Sequence, residues 1–146
     1  MSRAFTPERV INGTYGEVWL DGTYLPQATG LEAKYSLDKE EVHQCKKISK
    51  GYKVTGSDGK GTLKMNKTDS TLIDLLGDDL KSGKMKEHTL ISKLDDPDAW
   101  GAERIQLEGV KFDELTLADW ELKKLGTESI PFTFEGYTTL DLIDPE

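Results

Sequence analysis

The run Leu31-Glu32-Ala33-Lys34-Tyr35-Ser36-Leu37 puts an apolar residue at every second position with a polar one between each pair. Successive side chains of a strand point to opposite faces, so this pattern predicts a half-buried strand of an antiparallel sheet. Leu31, Ala33, Tyr35 and Leu37 are expected in the core, and Glu32, Lys34 and Ser36 on the opposite face. Toward the N-terminus the alternation recurs, with Val18 and Leu20 set among Glu17, Trp19 and Asp21. It stops at Asp21-Gly22, a dipeptide suited to the positive φ values of a tight turn, which predicts paired strands over residues 13–20 and 23–28.

Beyond Leu37 the alternation lapses. Residues 38–61 are rich in Lys, Ser and Gly, and the period of two resumes only at Thr62-Leu63-Lys64-Met65-Asn66. Leu63 and Met65 join the expected core, while Thr62 and Lys64 fall on the other face. A connection of this length far exceeds the ordinary median of ~4–6 residues. It predicts an extended, flexible hairpin leaving the body, or a functional loop.

One helix is expected over residues 69–82. Thr68-Asp69-Ser70 supplies capping oxygens, Leu72, Ile73, Leu75, Leu76 and Leu80 form a stripe at helical spacing, and Gly83 suits the terminating left-handed position. Leu72 and Leu76 are assigned to the core. Strand patterns return at 88–94, 104–110, 115–122 and 131–137, the last with Phe132 and Phe134 inward. The fold class that follows is mainly β, an antiparallel sandwich or barrel with one α-helix and a long protruding hairpin. Residues 1–146 read as a single domain with an N-terminal arm (1–12) and an acidic C-terminal arm (140–146).

The chemistry of catalysis is hard to assemble from these residues. Two histidines, His43 and His88, and one cysteine, Cys45, fall short of the three or four ligands of a zinc site, and no third group orients a Cys–His pair. Asp96 and Asp98 occupy the first positions of a calcium loop, but Trp100 and Leu107 stand where oxygen ligands are required. The glycines between Gly51 and Gly61 lack the Lys-Ser/Thr ending of a phosphate loop. No catalytic residue, metal or cofactor is therefore expected. The lone cysteine and the absence of an apolar leader suggest a soluble protein of a reducing cytosol.

Charge is the outstanding feature. The chain carries 27 acids against 19 bases, a formal net charge of −8, which argues against nucleic acid as a specific partner. Yet eight lysines and only three acids lie between Lys39 and Lys67. A basic protrusion on an acidic body suits head-to-tail association, the loop of one copy meeting the acidic face of the next. Lys39, Lys46, Lys47, Lys50, Lys53 and Lys60 are the candidates for that contact.

Several stretches, in this order, resemble the tail tube proteins of contractile-tailed bacteriophages, defective prophages and phage-tail-like bacteriocins. They are Ile11-Asn12-Gly13 with Gly16-Glu17-Val18-Trp19-Leu20-Asp21-Gly22, the segment Gly56 to Gly61, and Ala99-Trp100-Gly101-Ala102-Glu103-Arg104-Ile105. Thr116-Leu117-Ala118-Asp119-Trp120-Glu121 and Pro131-Phe132-Thr133-Phe134-Glu135 complete the set. The resemblance implies six-fold rings whose inner sheets join into a continuous β-barrel, and which stack through the long loop into a hollow tube. It further implies a contractile sheath, baseplate and tail terminator proteins as partners, with DNA as non-specific passing cargo and no membrane binding by the subunit. The setting would be a virion or phage-tail-like particle assembled in the bacterial host cytoplasm. Glu32, Lys34, Ser36, Thr62 and Lys64 become lumen-facing candidates. A β-sandwich carbohydrate-binding module is the alternative, resting on three Trp and five Tyr.

Overall fold

The computed structural model describes residues 4–144. After two 3-10 turns, Pro7–Arg9 and Gly13–Tyr15, the elements are β1 (Gly16–Leu20), β2 (Thr23–Tyr24), β3 (Ala28–Val42), β4 (Gly51–Asn66) and α1 (Thr71–Ser82). Then come β5 (His88–Leu94), β6 (Glu103–Phe112), β7 (Thr127–Phe134) and β8 (Gly136–Asp141). Every pairing is antiparallel, and the strands follow the order β2-β1-β5-β6-β7-β4-β3, with β8 on β6.

Strand β6 is where the sheet folds over. Its first half lies between β5 and β8, with Leu107 opposite both Leu90 and Tyr137; its last two residues, Lys111 and Phe112, pair instead with β7. Gly109 sits between the two halves at φ 65, a left-handed conformation that costs glycine little. Opposite it, the Glu135 N–H donates to the Glu108 carbonyl at 3.0 Å, at the step from β7 to β8. The two halves of the sheet thus face each other. Val18, Leu20, Leu90 and Leu107 from one layer share a buried cluster with Leu63, Met65, Ile130, Phe132 and Phe134 from the other.

Local chemistry explains the register. Asp21 (φ 49) and Gly22 (φ 84) form the turn between β1 and β2. The Asp21 carboxylate also accepts the Thr89 N–H at 2.8 Å and meets His88 Nδ1 at 2.6 Å, tying that turn to the start of β5. In β4, Gly59 and Gly61 lie opposite Phe134 and Phe132, whose rings cover the space that side chains would otherwise fill. α1 buries Leu72 and Leu76 in the same core and ends at Gly83 (φ 74). At its start, Asp69 Oδ1 accepts from the Thr71 N–H at 3.2 Å and the Thr71 hydroxyl at 2.7 Å, bonds that hold its carboxyl below the usual carboxylate range.

Several expectations need correction. Of the two readings of residues 38–61 the extended hairpin is the one observed, with β3 running to Val42 and β4 beginning at Gly51, so that only 43–50 form the tip. Leu31 is half-buried, while Ala33, Tyr35 and Leu37 are exposed and not core, because beyond Leu31 the two layers part around an open cleft. Residues 115–122 form no strand, since the Asp113 N–H bonds the Pro131 carbonyl and the chain then leaves the ladder. Gly13–Tyr15 is a 3-10 turn, and β2 spans two residues before Pro26, which has no N–H to offer a ladder. Leu140 and Asp141, expected in a C-terminal arm, belong to β8. Of the N-terminal arm, residues 4–12 are described, and the arm is tied to the 96–98 turn by the Asn12 N–H donating to the Asp96 carboxylate at 2.9 Å and by Arg9 donating to the Asp98 carbonyl at 3.1 Å. Residues 1–3, 145 and 146 lie outside the described part.

Candidate assembly interface

The β3–β4 hairpin outgrows the body that supports it. At ~3.3 Å per residue the 15 residues of β3 span about 50 Å. β7 pairs with β4 only from Gly59 to Asn66. From Ser36 and Asp58 outward, among the described residues, the two strands pair solely with each other. An isolated two-stranded ribbon is marginally stable in water.

This ribbon also carries apolar side chains that the protomer does not bury. Leu37, Val42, Tyr52 and Val54 are exposed along it, and Ile48 at the tip is fully exposed. Full burial of the fully exposed Ile48 would gain ~1.5–3 kcal/mol and that of the half-exposed side chains a part of it, so the ribbon has an unfilled demand for a covering surface. Tyr52 and Val54 form a period-two pair within the stretch expected to be an extended hairpin or a functional loop. Lysines outnumber acids around them: Lys46, Lys47 and Lys50 lie in the tip with Lys39 and Lys53 on the strands beside it, against Asp38, Glu40 and Glu41 of β3, of which Glu41 lies 3.4 Å from Lys50. Lys60 is elsewhere. It lies on the supported part of β4, opposite Lys34 and 3.5 Å from Asp58, so it does not belong to the protruding set.

At the root of the ribbon the sandwich is open. Leu31, Ala33 and Tyr35 of β3 face Leu94, Ile105 and Tyr137 across a cleft of about 360 Å³. Tyr35 rests on Phe134 at 6.0 Å and on Tyr137 at 5.6 Å, and its hydroxyl meets Ser57 Oγ at 2.7 Å. β3 ends the strand order, so its outer edge has no ladder partner among the described residues. A long strand with an open edge is a template for pairing with another chain.

The opposite face of β3 and β4 carries the five lumen-facing candidates. Glu32, Lys34, Ser36 and Lys64 are exposed there and Thr62 is half-buried. Lys34 lies opposite Lys60, a like-charge pair offset by Glu32, 3.3 Å from Lys34, and by Asp58. The face is of mixed charge, with Lys34, Lys60 and Lys64 against Glu32 and Asp58. Its acids sit beside its lysines.

The remaining sequence candidates are scattered. His43 stands 3.6 Å from Glu41, and Cys45 is exposed at the tip. His88 is bound to Asp21, and Asp96 bonds the Asn12 and Asp98 N–H groups. Trp19, Trp100 and Trp120 lie on three separate segments; the Trp19 ring is tilted 40° to that of Tyr24. These residues do not assemble into one site.

The comparisons with known proteins bear on the same hairpin-bearing fold. The structure of an extracellular contractile injection system, the PVC sheath–tube complex in its extended state, superposes with a TM-score of 0.69, covering 97% of this chain and 100% of that one at 13% identity. The tube-terminating cap of the anti-feeding prophage gives 0.74, with 97% and 95% covered at 10% identity. In sequence, the chain is 32% identical over 136 residues to the phage-like element PBSX protein XkdM of Bacillus subtilis (strain 168), covering 92% of each. The family model described as phage tail tube protein matches residues 3–141. With an antiparallel sandwich, a ribbon built to leave it and a match over almost its whole length, the chain belongs to the phage tail tube protein family.

Proposed function

We propose that this tail tube subunit forms six-membered rings through its open sheet edges and that the rings stack through the β3–β4 ribbon into a hollow tube. The observation that carries the reading is the ribbon itself: two strands beyond the reach of β7, lined with exposed Leu37, Tyr52, Val54 and Ile48. Burial against neighbouring copies satisfies both its apolar side chains and the outer edge of β3. Residues 1–146 act as a single tube domain, and its role is structural, without catalysis.

Glu32, Lys34, Ser36, Thr62 and Lys64 are the candidates for the wall of the bore. Placing acids beside the lysines there weakens their hold on phosphate, so passing DNA slides and does not stick. The related sheath–tube complex and tube-terminating cap support a contractile sheath and a terminator as further partners, with a baseplate at the far end. Light scattering and electron microscopy of the purified protein at rising concentration test the reading. Rings and stacked tubes are expected; a monomer under every salt condition overturns it.

A further inference from the structure

We infer that the groove between α1 and residues 113–126 is the seat for the hairpin tip of the next copy along the tube, with Ile48 as the anchor. This rests on the stacking reading above and adds the receiving site. β4 runs from the tip at Gly51 to Asn66 at the far end of the body, α1 begins five residues later, and the 113–126 segment rejoins the sheet at Thr127 opposite Asn66. Tip and groove therefore lie at opposite ends of the same strand. A chain cannot fold its own tip across that distance, whereas a copy displaced along β4 brings one to the other. Such a contact is heterologous and leaves a new tip and a new groove at each end, the geometry of an open polymer.

The chemistry of the two surfaces agrees. The groove, of about 560 Å³, is lined by the apolar Ile73, Leu80, Leu115 and Leu117 together with the acidic Asp74 and Asp78 and the basic Lys81. Asp69 and Asp79 beside and within α1, and Asp113, Glu114 and Asp119 of the other segment, add to the acidic surroundings, while Glu121 is paired with Lys124 at 2.9 Å and Lys123 adds a further base. The tip presents an apolar side chain, Ile48, amid Lys46, Lys47 and Lys50, the last 3.4 Å from Glu41. An apolar knob with a basic collar meets an apolar slot lined in part by acids.

Gly77 is an independent pointer. It lies within α1, where glycine is less favourable than alanine because its backbone loses more freedom on ordering. A Cβ added there would meet nothing within 4 Å in the protomer, so nothing inside the subunit calls for its missing side chain. It makes a notch in the groove wall between Asp74 and Asp78, where an incoming side chain can seat.

Charge exchange tests the pairing. Lys46→Glu with Lys47→Glu, or Asp74→Lys with Asp78→Lys, should each cut the sedimenting tube fraction about tenfold, and the four changes together in one chain should restore it. Because those variants bear many changes, a second measurement stands beside them. In a Cys45→Ser background, Ile48→Cys with Gly77→Cys should give an intermolecular disulfide ladder on oxidation, while either cysteine alone gives at most dimers. Wild-type tubes combined with no rescue and no ladder would overturn the groove and leave stacking intact. A wild-type protein that forms no polymer overturns both.

Discussion

At the residue scale the fold depends on a few positions where a side chain must be absent or must bond one particular neighbour. Gly61 is the clearest: a Cβ there would press on the Glu32 carbonyl and come within 2.5 Å of the Phe132 ring, itself 1% exposed at the centre of the core. Neither backbone nor a packed ring yields easily, so Gly61→Ala should destabilise the protomer by about 1–3 kcal/mol, read as a lower urea midpoint at unchanged slope. Asp69 gives a pH-dependent case. Its carboxyl titrates below the ordinary range because the Thr71 hydroxyl and N–H bond the charged form. A depressed native value means stability present above the unfolded-state value and lost as pH falls through the native one. Asp69→Ala should therefore lower Tm at pH 7, and the gap from wild type should close on acidification toward pH ~2, where both carry no charge at this position. A gap unchanged with pH would show that the carboxylate's charge contributes nothing. These side-chain bonds join neighbours in sequence and were foreshadowed by the capping oxygens of Thr68-Asp69-Ser70. The reason for Gly61 was not, because Phe132 reaches it from 71 residues away.

At the element scale the hairpin separates into two regimes. Near the body β4 is held on both sides, by β3 and β7, and Leu63 and Met65 are buried. Past Gly59, among the described residues, the ribbon has neither a third strand nor a facing layer. Amide exchange in the free subunit should thus be fast from Ser36 to Asp58 and slow from Gly59 to Asn66, whereas assembly into tubes should slow the outer amides at least ~100-fold. Equal protection of both parts in the free subunit would contradict a ribbon lacking support. Sequence pattern located the strands on either side of this segment and the helix well, since period-two and helical stripes are local. It left residues 38–42 and 51–61 open between hairpin and loop because lysine and glycine dilute the alternation of a strand that has no core to face. It failed at 115–122, where apolar residues such as Leu117, Trp120 and Leu122 are exposed on an irregular segment. An apolar residue awaiting a partner outside the protomer looks, in sequence, like one destined for its core.

At the scale of the whole molecule, charge is segregated: a basic ribbon tip projects from a body whose acids give the chain its net −8. Association of such a tip with an acidic end surface is steered by charge and then held by apolar contact. Tube elongation followed by light scattering should accordingly slow as salt rises from ~50 to ~500 mM, the Debye length shrinking to a few ångströms. Faster elongation at high salt would assign the encounter to apolar contact alone. The amino-acid sequence by itself determined the antiparallel β class, the helix with its termination, the charge separation and the family, because these depend on residues close together along the chain or on their order. Only the tertiary structure decided that the sheet folds at Gly109, that β8 joins β6, that Tyr35 and Leu37 lie outside the core, and that the tip and the α1 groove stand at opposite ends. Those outcomes depend on which distant strands run out of partners first, and no local pattern records where a neighbouring layer stops.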